Sequence, residues 1–107
     1  MTVKQYEIFW INLDPTVGSE IQKTRPGIVI TPDEMNNNID TIIIAPLTTK
    51  SHNYPTRFIT NIEGKDCWVV LDQIRAIDKS RLNDKIGELS KNDIEKLKNI
   101  INEMLVE

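Results

Sequence analysis

Hydrophobic and β-branched residues occur in short runs over the first three quarters of the chain, and polar loops separate these runs. Runs of this length, bounded by Pro, Gly, Asn and Asp, are typical of β-strands. The pattern predicts strands over residues 6–13, 26–31, 41–47, 57–62, 67–73 and 85–89. Residues 63–66 read as a hairpin turn, residues 16–24 and 48–55 as polar loops, residues 32–38 as a loop with one helical turn, and residues 74–82 as a mixed segment. Pro46 has no N–H for a strand ladder, so we expect it at an edge, an end or a bulge.

The last eighteen residues have a different period. Ser90 is a good N-cap, and Asp93 follows in the capping-box position. Apolar residues then recur at helical spacing and form one stripe: Ile94, Leu97, Ile101, Met104 and Leu105. Strands followed by one helix predict a mainly β fold with a C-terminal α-helix, arranged as a small β-barrel that the helix covers.

Composition and charge restrict the class of protein. The chain has 107 residues, which predicts a single domain over residues 1–107. Its net charge of −3 argues against a general nucleic-acid coat protein, so any phosphate site must use a few placed cations. The one cysteine, Cys67, lies in an apolar run and is expected to be a small buried residue. No apolar run is long enough to span a bilayer and the N-terminus lacks a signal-peptide core, so we expect a cytoplasmic protein.

Several enzyme classes lack their motifs in this sequence. There is no phosphate-binding P-loop, no GxSxG elbow, and no Cys/His set with the spacing of metal ligands. We therefore expect neither a bound metal ion nor a cofactor. The remaining candidates for chemistry are the side chains of the two polar loops, since binding residues collect on loops of a rigid scaffold.

Three features of these loops are suited to phosphate chemistry. Arg25 precedes a proline, which favours extended geometry and presents the guanidinium at a strand start. Thr48 follows the third strand, together with the hydroxyls and amine of residues 49–51. Glu20 can act as a base or hold Arg25 by an ion pair. From the residues alone, Arg25 can equally be a surface arginine and the hydroxyls ordinary loop residues.

Three further side chains have two readings each. His52 is the only histidine and titrates near neutrality, but a lone loop histidine is more often solvated than catalytic. Tyr54 can stack on an unpaired base or pack under the loop beside Pro55. Gln73 can read a base edge or tie loops together. Arg81, in the turn that begins at Asp78, is expected to be structural or a partner contact.

Four blocks of the sequence resemble the MazF/PemK family. They are DPTVGSE at residues 14–20, TRPGIVI at residues 24–30, APLTT at residues 45–49 and DQIRAIDKSRL at residues 72–82. They occur in the family's order and spacing, and the similarity runs from Glu7 to Leu105. The resemblance implies an SH3-like β-barrel with a C-terminal helix, assembled as a homodimer. It also implies a toxin that cuts single-stranded RNA at short sequences without a metal, and an antitoxin peptide that lies across the dimer and blocks the RNA site.

The resemblance also assigns residues by position. Arg25 matches the family's catalytic arginine, Thr48 the assisting hydroxyl, and Glu20 a glutamate that shares the catalytic set. The RNA-binding residues are expected to be Ser19, Lys23, Thr24, Asn36, Thr49, Lys50, Ser51, His52, Tyr54 and Gln73. Whether Glu20 or His52 moves the proton stays open. Some members pair an aspartate at the position of Asp72 with an arginine where this chain has Val70, so the resemblance does not carry that pair over.

Two other functions fit a small barrel. A gyrase poison of the CcdB type shares the fold, but its activity depends on a Trp-Gly-Ile ending, and this chain ends in Met104-Leu105-Val106-Glu107. A non-catalytic SH3-like interaction module would leave the grouping of Arg25, Thr48 and Glu20 without a purpose. A gyrase supercoiling assay distinguishes the first alternative, and a toxicity test with Arg25→Ala distinguishes the second.

Overall fold

The computed structural model describes residues 2–106, which form a curled antiparallel sheet with one long helix. The strands are β1 (Glu7–Asn12), β2 (Thr24–Val29), β3 (Thr41–Thr48), β4 (Arg57–Ile62), β5 (Lys65–Val70), β6 (Arg75–Asp78) and β7 (Leu82–Glu88). The helices are α1 (Asp33–Asn38) and α2 (Lys91–Ile101), and the chain continues from α2 in a π-helical turn, Asn102–Val106. Short 3₁₀ turns occupy Leu71–Gln73 and Lys79–Arg81. The mainly β fold with a C-terminal helix is confirmed.

The strands follow the order β4-β5-β3-β2-β1-β7, and β6 pairs separately with β3. Strand β3 is the centre of this arrangement because its first half pairs with β6 and its last two residues pair with β5. Pro46 lies between Ile44, the last residue in register with β6, and Leu47, the first in register with β5. The expected irregularity at Pro46 is therefore a change of strand partner.

Hydrophobic side chains are buried on both faces of the curled sheet. On one face, Ile8, Ile28 and Leu47 share a cluster with Leu97 of α2. On the other face, Phe9 and Val29 pack in a second cluster that the curled sheet itself closes. Burial on both faces explains why the strands contain continuous apolar runs and not a strict alternation.

Helix α2 begins as the sequence predicts. The Ser90 side chain caps it by accepting a hydrogen bond from the Asp93 N–H at 3.2 Å. Leu97 is fully buried, and Ile94, Ile101 and Met104 pack against the same cluster. Leu105, the last residue of the predicted stripe, is 62% exposed and lies in the π-helical turn that follows α2.

Other boundaries differ from the sequence prediction. The strand predicted to run to residue 73 ends at Val70, and a 3₁₀ turn follows. The mixed segment contains strand β6, and the last strand starts at Leu82, three residues early. The hairpin between β4 and β5 is confirmed, but its loop has two residues and not the four predicted, because β5 starts at Lys65. Its residues Glu63 and Gly64 have φ angles of 52° and 80°, which suit a type I′ turn.

Gly27 permits close contact between β2 and β1. A Cβ atom at this position would lie 2.5 Å from Cδ1 of Ile11, whose side chain is fully buried. The glycine therefore lets Ile11 fill the space beside the start of β2, where Arg25 stands.

No helix within residues 2–106 is long and apolar enough to cross a membrane.

Candidate active site

Arg25 and Thr48 line one cavity of about 520 Å³, here called the Arg25 cavity. Arg25 is the second residue of β2 and Thr48 is the last residue of β3, so two adjacent strands supply them. The complete lining is Trp10, Thr24, Arg25, Pro26, Leu47, Thr48, Thr49, Ile62, Glu63, Lys65, Cys67 and Ile86. Of the predicted site residues, Arg25, Thr24, Thr48 and Thr49 meet in this cavity.

Among residues 2–106 the guanidinium of Arg25 has one hydrogen bond, from Nε to the carbonyl oxygen of Gln22 at 3.3 Å. Its Nη atoms are the donors suited to a phosphate, since a guanidinium presents a planar fork. Thr48 Oγ1 donates to the carbonyl oxygen of Lys50 at 3.3 Å, a long bond that a stronger acceptor can replace.

A second cavity of about 510 Å³, here called the Tyr54 cavity, shares Thr48 with the first. Its lining is Ser19, Glu20, Ile21, Thr48, Lys50, His52, Tyr54, Arg57, Asp72 and Gln73. Five of the ten predicted RNA-binding residues line it: Ser19, Lys50, His52, Tyr54 and Gln73. Thr48 thus joins two adjacent cavities that hold most of the predicted site.

Glu20 lies in the Tyr54 cavity and does not hold Arg25. Its Oε1 accepts a hydrogen bond from the N–H of Val17 at 2.6 Å. In the part of the chain that the structure describes, no ion pair joins Glu20 to Arg25. The predicted alternative in which Glu20 holds Arg25 by an ion pair is therefore wrong. The Glu20 carboxylate instead stabilises its own loop through the bond from Val17.

An ion pair between Arg57 and Asp72 organises the Tyr54 cavity. Arg57 Nε donates to Asp72 Oδ1 at 2.9 Å and Nη2 donates to Oδ2 at 2.8 Å. Thr56 Oγ1 adds a third bond to the same carboxylate at 2.9 Å. The hydrogen bonds from Arg57 hold the pKa of Asp72 below its usual value, and those to Asp72 raise the pKa of Arg57.

Sequence reasoning missed Arg57. In the β4–β5 register it stands directly opposite Val70. Arg57 therefore reaches Asp72 from the strand next to the one that ends at Val70. One sequence feature could have indicated Arg57. It stands at the start of a predicted strand, directly after the polar loop that contains Tyr54.

The same arginine fixes the loop between β3 and β4. Arg57 Nη1 donates to Ser51 Oγ at 2.7 Å, and its guanidinium lies 4.7 Å from the centre of the Tyr54 ring. His52 packs edge-on against Tyr54, with ring centres 5.8 Å apart. Tyr54 remains 48% exposed, so part of its ring is free to contact a ligand.

Gln73 connects the first polar loop to this network. Its Oε1 accepts a hydrogen bond from the N–H of Ile21 at 2.8 Å, so the reading in which it ties loops together is confirmed. Arg81 is structural as expected, because its Nη1 donates to the carbonyl oxygens of Asn12 and Asp14. The loops around Thr48 are thus held to one another before any ligand binds.

Three predicted RNA-binding residues lie outside both cavities. Asn36 is only 2% exposed, and its amide is bonded to Thr31 through Oδ1 and Nδ2. The structure therefore contradicts a surface role for Asn36, since its polar atoms serve to fix α1. Lys23 is exposed and has a φ of 70°, with its N–H bound to Asp14 Oδ1 at 2.9 Å. Ser51 is connected to the Tyr54 cavity indirectly, because its Oγ accepts a hydrogen bond from Arg57, which lines that cavity.

Cys67 is buried as predicted, and burial raises the pKa of its thiol. It forms part of the apolar wall of the Arg25 cavity. Within residues 2–106, no three His, Cys, Asp or Glu side chains are grouped so that they could hold a metal ion.

Comparisons with known proteins assign the family. The sequence model of the family described as "PemK-like, MazF-like toxin of type II toxin-antitoxin system" matches residues 4–105. Endoribonuclease EndoA of Bacillus subtilis (strain 168) is 35% identical over 103 residues, which cover 91% of this chain and 89% of that protein. Endoribonuclease toxin MazF of Escherichia coli (strain K12) is 29% identical over 100 residues, covering 92% and 90%. The chain belongs to the PemK-like, MazF-like toxin family.

Solved structures agree with this fold. The crystal structure of MazF (Form-I) from Deinococcus radiodurans superposes with a TM-score of 0.87 at 21% identity, covering 98% of this chain and 97% of that one. An endoribonuclease from a mycobacterial species, solved in complex with its cognate antitoxin, gives a TM-score of 0.82 at 17% identity, covering 96% and 94%. The curled sheet with its C-terminal helix is the fold of these toxins.

Proposed function

We propose that this chain is a sequence-specific, metal-independent endoribonuclease that cuts single-stranded RNA and that a cognate antitoxin inhibits. The observation that carries the proposal is the meeting of Arg25 and Thr48 in one cavity of a toxin-family member. The relatives that bear the name endoribonuclease support the activity.

RNA supplies its own nucleophile, so this reaction can proceed with side chains alone. The 2′-OH attacks the adjacent phosphorus, the bond from phosphorus to the 5′ oxygen breaks, and the products carry a 2′,3′-cyclic phosphate and a 5′-OH. The enzyme must accept the 2′ proton, stabilise charge on the phosphoryl oxygens and protonate the leaving 5′ oxygen.

Arg25 is assigned to the phosphoryl oxygens. A guanidinium stays charged and binds two oxygens at once, which suits it to the charge that develops in the transition state. Thr48 donates a second hydrogen bond to the same group. Removing one such donor typically lowers the rate by about 10²–10³.

The proton acceptor is Glu20 or His52, which both line the Tyr54 cavity beside Thr48. Glu20 needs only to exchange its bond to the Val17 N–H for the substrate hydroxyl. A pH–rate profile whose shape His52→Gln changes and Glu20→Gln leaves unchanged would identify the histidine. A profile that only Glu20→Gln changes would identify the glutamate.

Binding of the RNA on either side of the scissile phosphate is assigned to the two cavities. The contributing side chains of the cavities are Ser19, Thr24, Thr49, Lys50, His52, Tyr54 and Gln73, and Lys23 and Ser51 contribute from outside them. Unpaired bases offer faces and edges to aromatic and polar side chains, which double-stranded RNA withholds. This explains the expected preference for single strands.

We further propose that residues 1–107 act as one toxin domain, in the cytoplasm, as a homodimer that an antitoxin peptide covers. Support comes from a related mycobacterial endoribonuclease solved with its cognate antitoxin and from MazE–MazF structures of Deinococcus radiodurans. Sedimentation of the purified chain, alone and with a candidate antitoxin of the MazE type, tests both assemblies.

The activity test uses purified protein, a long single-stranded RNA and EDTA, followed by mapping of the new 5′ ends. Arg25→Ala is the test variant. Lys98→Ala, which removes a positive charge from an exposed position on α2 in neither cavity, is the matched control. Discrete cuts with 5′-OH ends, lost in Arg25→Ala and kept in Lys98→Ala, are expected. Intact RNA across many substrates would refute the proposal, and inhibition of gyrase supercoiling would then favour the gyrase-poison alternative.

A further inference from the structure

Trp10 is a large aromatic side chain that the proposed reaction does not use. It is 43% exposed on β1, although its neighbours Phe9 and Ile11 are buried. In the β1–β2 register it stands opposite Pro26, the residue after Arg25, and it lines the Arg25 cavity. An exposed tryptophan inside a cavity is available to a ligand, because the sheet provides no side chain to cover it.

The pairing of β1 with β7 is irregular beside Trp10. Phe9 pairs with Lys85 of β7 and Ile11 pairs with Leu82, so two steps along β1 match three steps along β7. The extra residue belongs to β7, which therefore bulges, while β1 stays in regular register with β2. Bulges are frequent next to active sites, and this one lies beside the residue of β1 that lines the cavity.

The rest of the cavity suits a flat, unpaired base. Its walls include Pro26, Leu47, Ile62 and Ile86, while Arg25 and Thr48 provide polar groups. A volume of about 520 Å³ is in the range of small-molecule sites. Apolar walls with a few placed donors bind a ring by its faces and fix it by its edge.

We propose that Trp10 stacks on the base of a nucleotide that flanks the scissile phosphate, and that this base occupies the Arg25 cavity. The inference rests on the proposed function. Arg25 and Thr48 line the same cavity as the indole, so a phosphate bound to them leaves the base of an adjoining nucleotide within reach of Trp10. Stacking of one base on an aromatic side chain contributes affinity without needing a paired strand.

The test uses an oligonucleotide that spans a mapped cleavage site and carries a 2′-deoxy sugar at the scissile position, so that it binds without being cut. Each base around the site is removed in turn to give a series of abasic oligonucleotides. Binding is measured for the wild-type protein and for Trp10→Leu. Ile59→Ala removes another exposed hydrophobic side chain, from β4 and outside both cavities, and is the matched control.

Trp10→Leu should weaken binding about 5- to 150-fold and raise KM more than it lowers kcat, whereas Ile59→Ala should leave both unchanged. In the wild type, removing one flanking base should cost a similar factor, and that same removal should cost little in Trp10→Leu. Trp10→Phe should bind with intermediate affinity. An abasic penalty of equal size in wild type and Trp10→Leu at every position would overturn the proposal.

Fluorescence gives a second readout. In a Trp68→Phe background Trp10 is the only tryptophan, so its emission should be quenched on binding and recover with the abasic oligonucleotide that loses affinity. Unchanged emission on saturating binding would also overturn the inference.

A wild-type protein that cuts no RNA would instead refute the proposed function, and this inference with it. Cleavage that is indifferent to Trp10 refutes the inference alone.

Discussion

The ion pair of Arg57 and Asp72 allows the loss of folding stability in a single variant, Asp72→Asn, to be predicted with a magnitude. Replacing Asp72 with Asn removes the negative charge while keeping the size of the side chain. The carboxylate accepts three hydrogen bonds, two from Arg57 and one from Thr56. An amide keeps one acceptor oxygen, so Asp72→Asn leaves part of the Arg57 guanidinium without a partner.

The size of the effect follows from the exposure of the pair. The side chain of Arg57 is 15% exposed and that of Asp72 is 33% exposed, so solvent screens the charges only in part. Exposed pairs contribute about 0–1 kcal/mol, and hydrogen bonds to charged groups about 1.5–3 kcal/mol when shielded. We therefore expect Asp72→Asn to lower the free energy of unfolding by about 1–2 kcal/mol. For a domain of this size that corresponds to a Tm about 4–9 °C lower.

Urea denaturation at pH 7.5 measures this loss. Asp84→Asn is the control, because it makes the same charge change at an exposed residue of β7. The side chain of Asp84 has no hydrogen bond or ion pair among the described residues. The loop that carries Ser51 and Tyr54 also loses its anchor, so KM for RNA should rise more than kcat falls. Equal stability of Asp72→Asn and Asp84→Asn would refute the reasoning.

Further predictions concern pH, the helix cap and the sheet. Because the pKa of Asp72 is depressed in the folded state, its contribution is complete above its unfolded value of about 4 and is lost as pH falls through the folded pKa. The stability gap between wild type and Asp72→Asn should thus be constant over pH 6–8 and shrink below about pH 4, as urea titrations would show. Ser90→Ala should cost about 1 kcal/mol in thermal melts, since it removes the cap of α2. Gly27→Ala should cost about 1–3 kcal/mol, and Ile11→Val, which removes the clashing Cδ1, should recover part of it in a double-mutant cycle.

The sequence predicted the elements whose signal is local. Ser90 and the apolar spacing after it identified α2, and the hairpin turn was located within residues 63–66. The π-helical turn that exposes Leu105 was not predicted, because helical spacing assumes a constant 3.6-residue period. The change from β6 to β5 as the pairing strand along β3 could not be predicted either, because strand order depends on contacts between residues that are distant in sequence.

The candidate site divides in the same way. Arg25 and Thr48 were identified from motifs, and the structure brings them into one cavity. Arg57 was missed because its partner, Asp72, is fifteen residues away and on a different element. Asn36 was placed among the RNA-binding residues in a segment read as a loop with one helical turn, but its side chain is buried and hydrogen-bonded to Thr31.

The central claim is that the Arg25 cavity promotes attack by the 2′-OH of RNA on its own phosphate. It is tested most directly by placing a single 2′-deoxy nucleotide at a mapped cleavage site, in an otherwise all-RNA oligonucleotide, and following binding and cleavage together. Cleavage at that site should stop while binding is retained. Continued cleavage at the 2′-deoxy position would contradict it, because the phosphate would then have been attacked by another nucleophile.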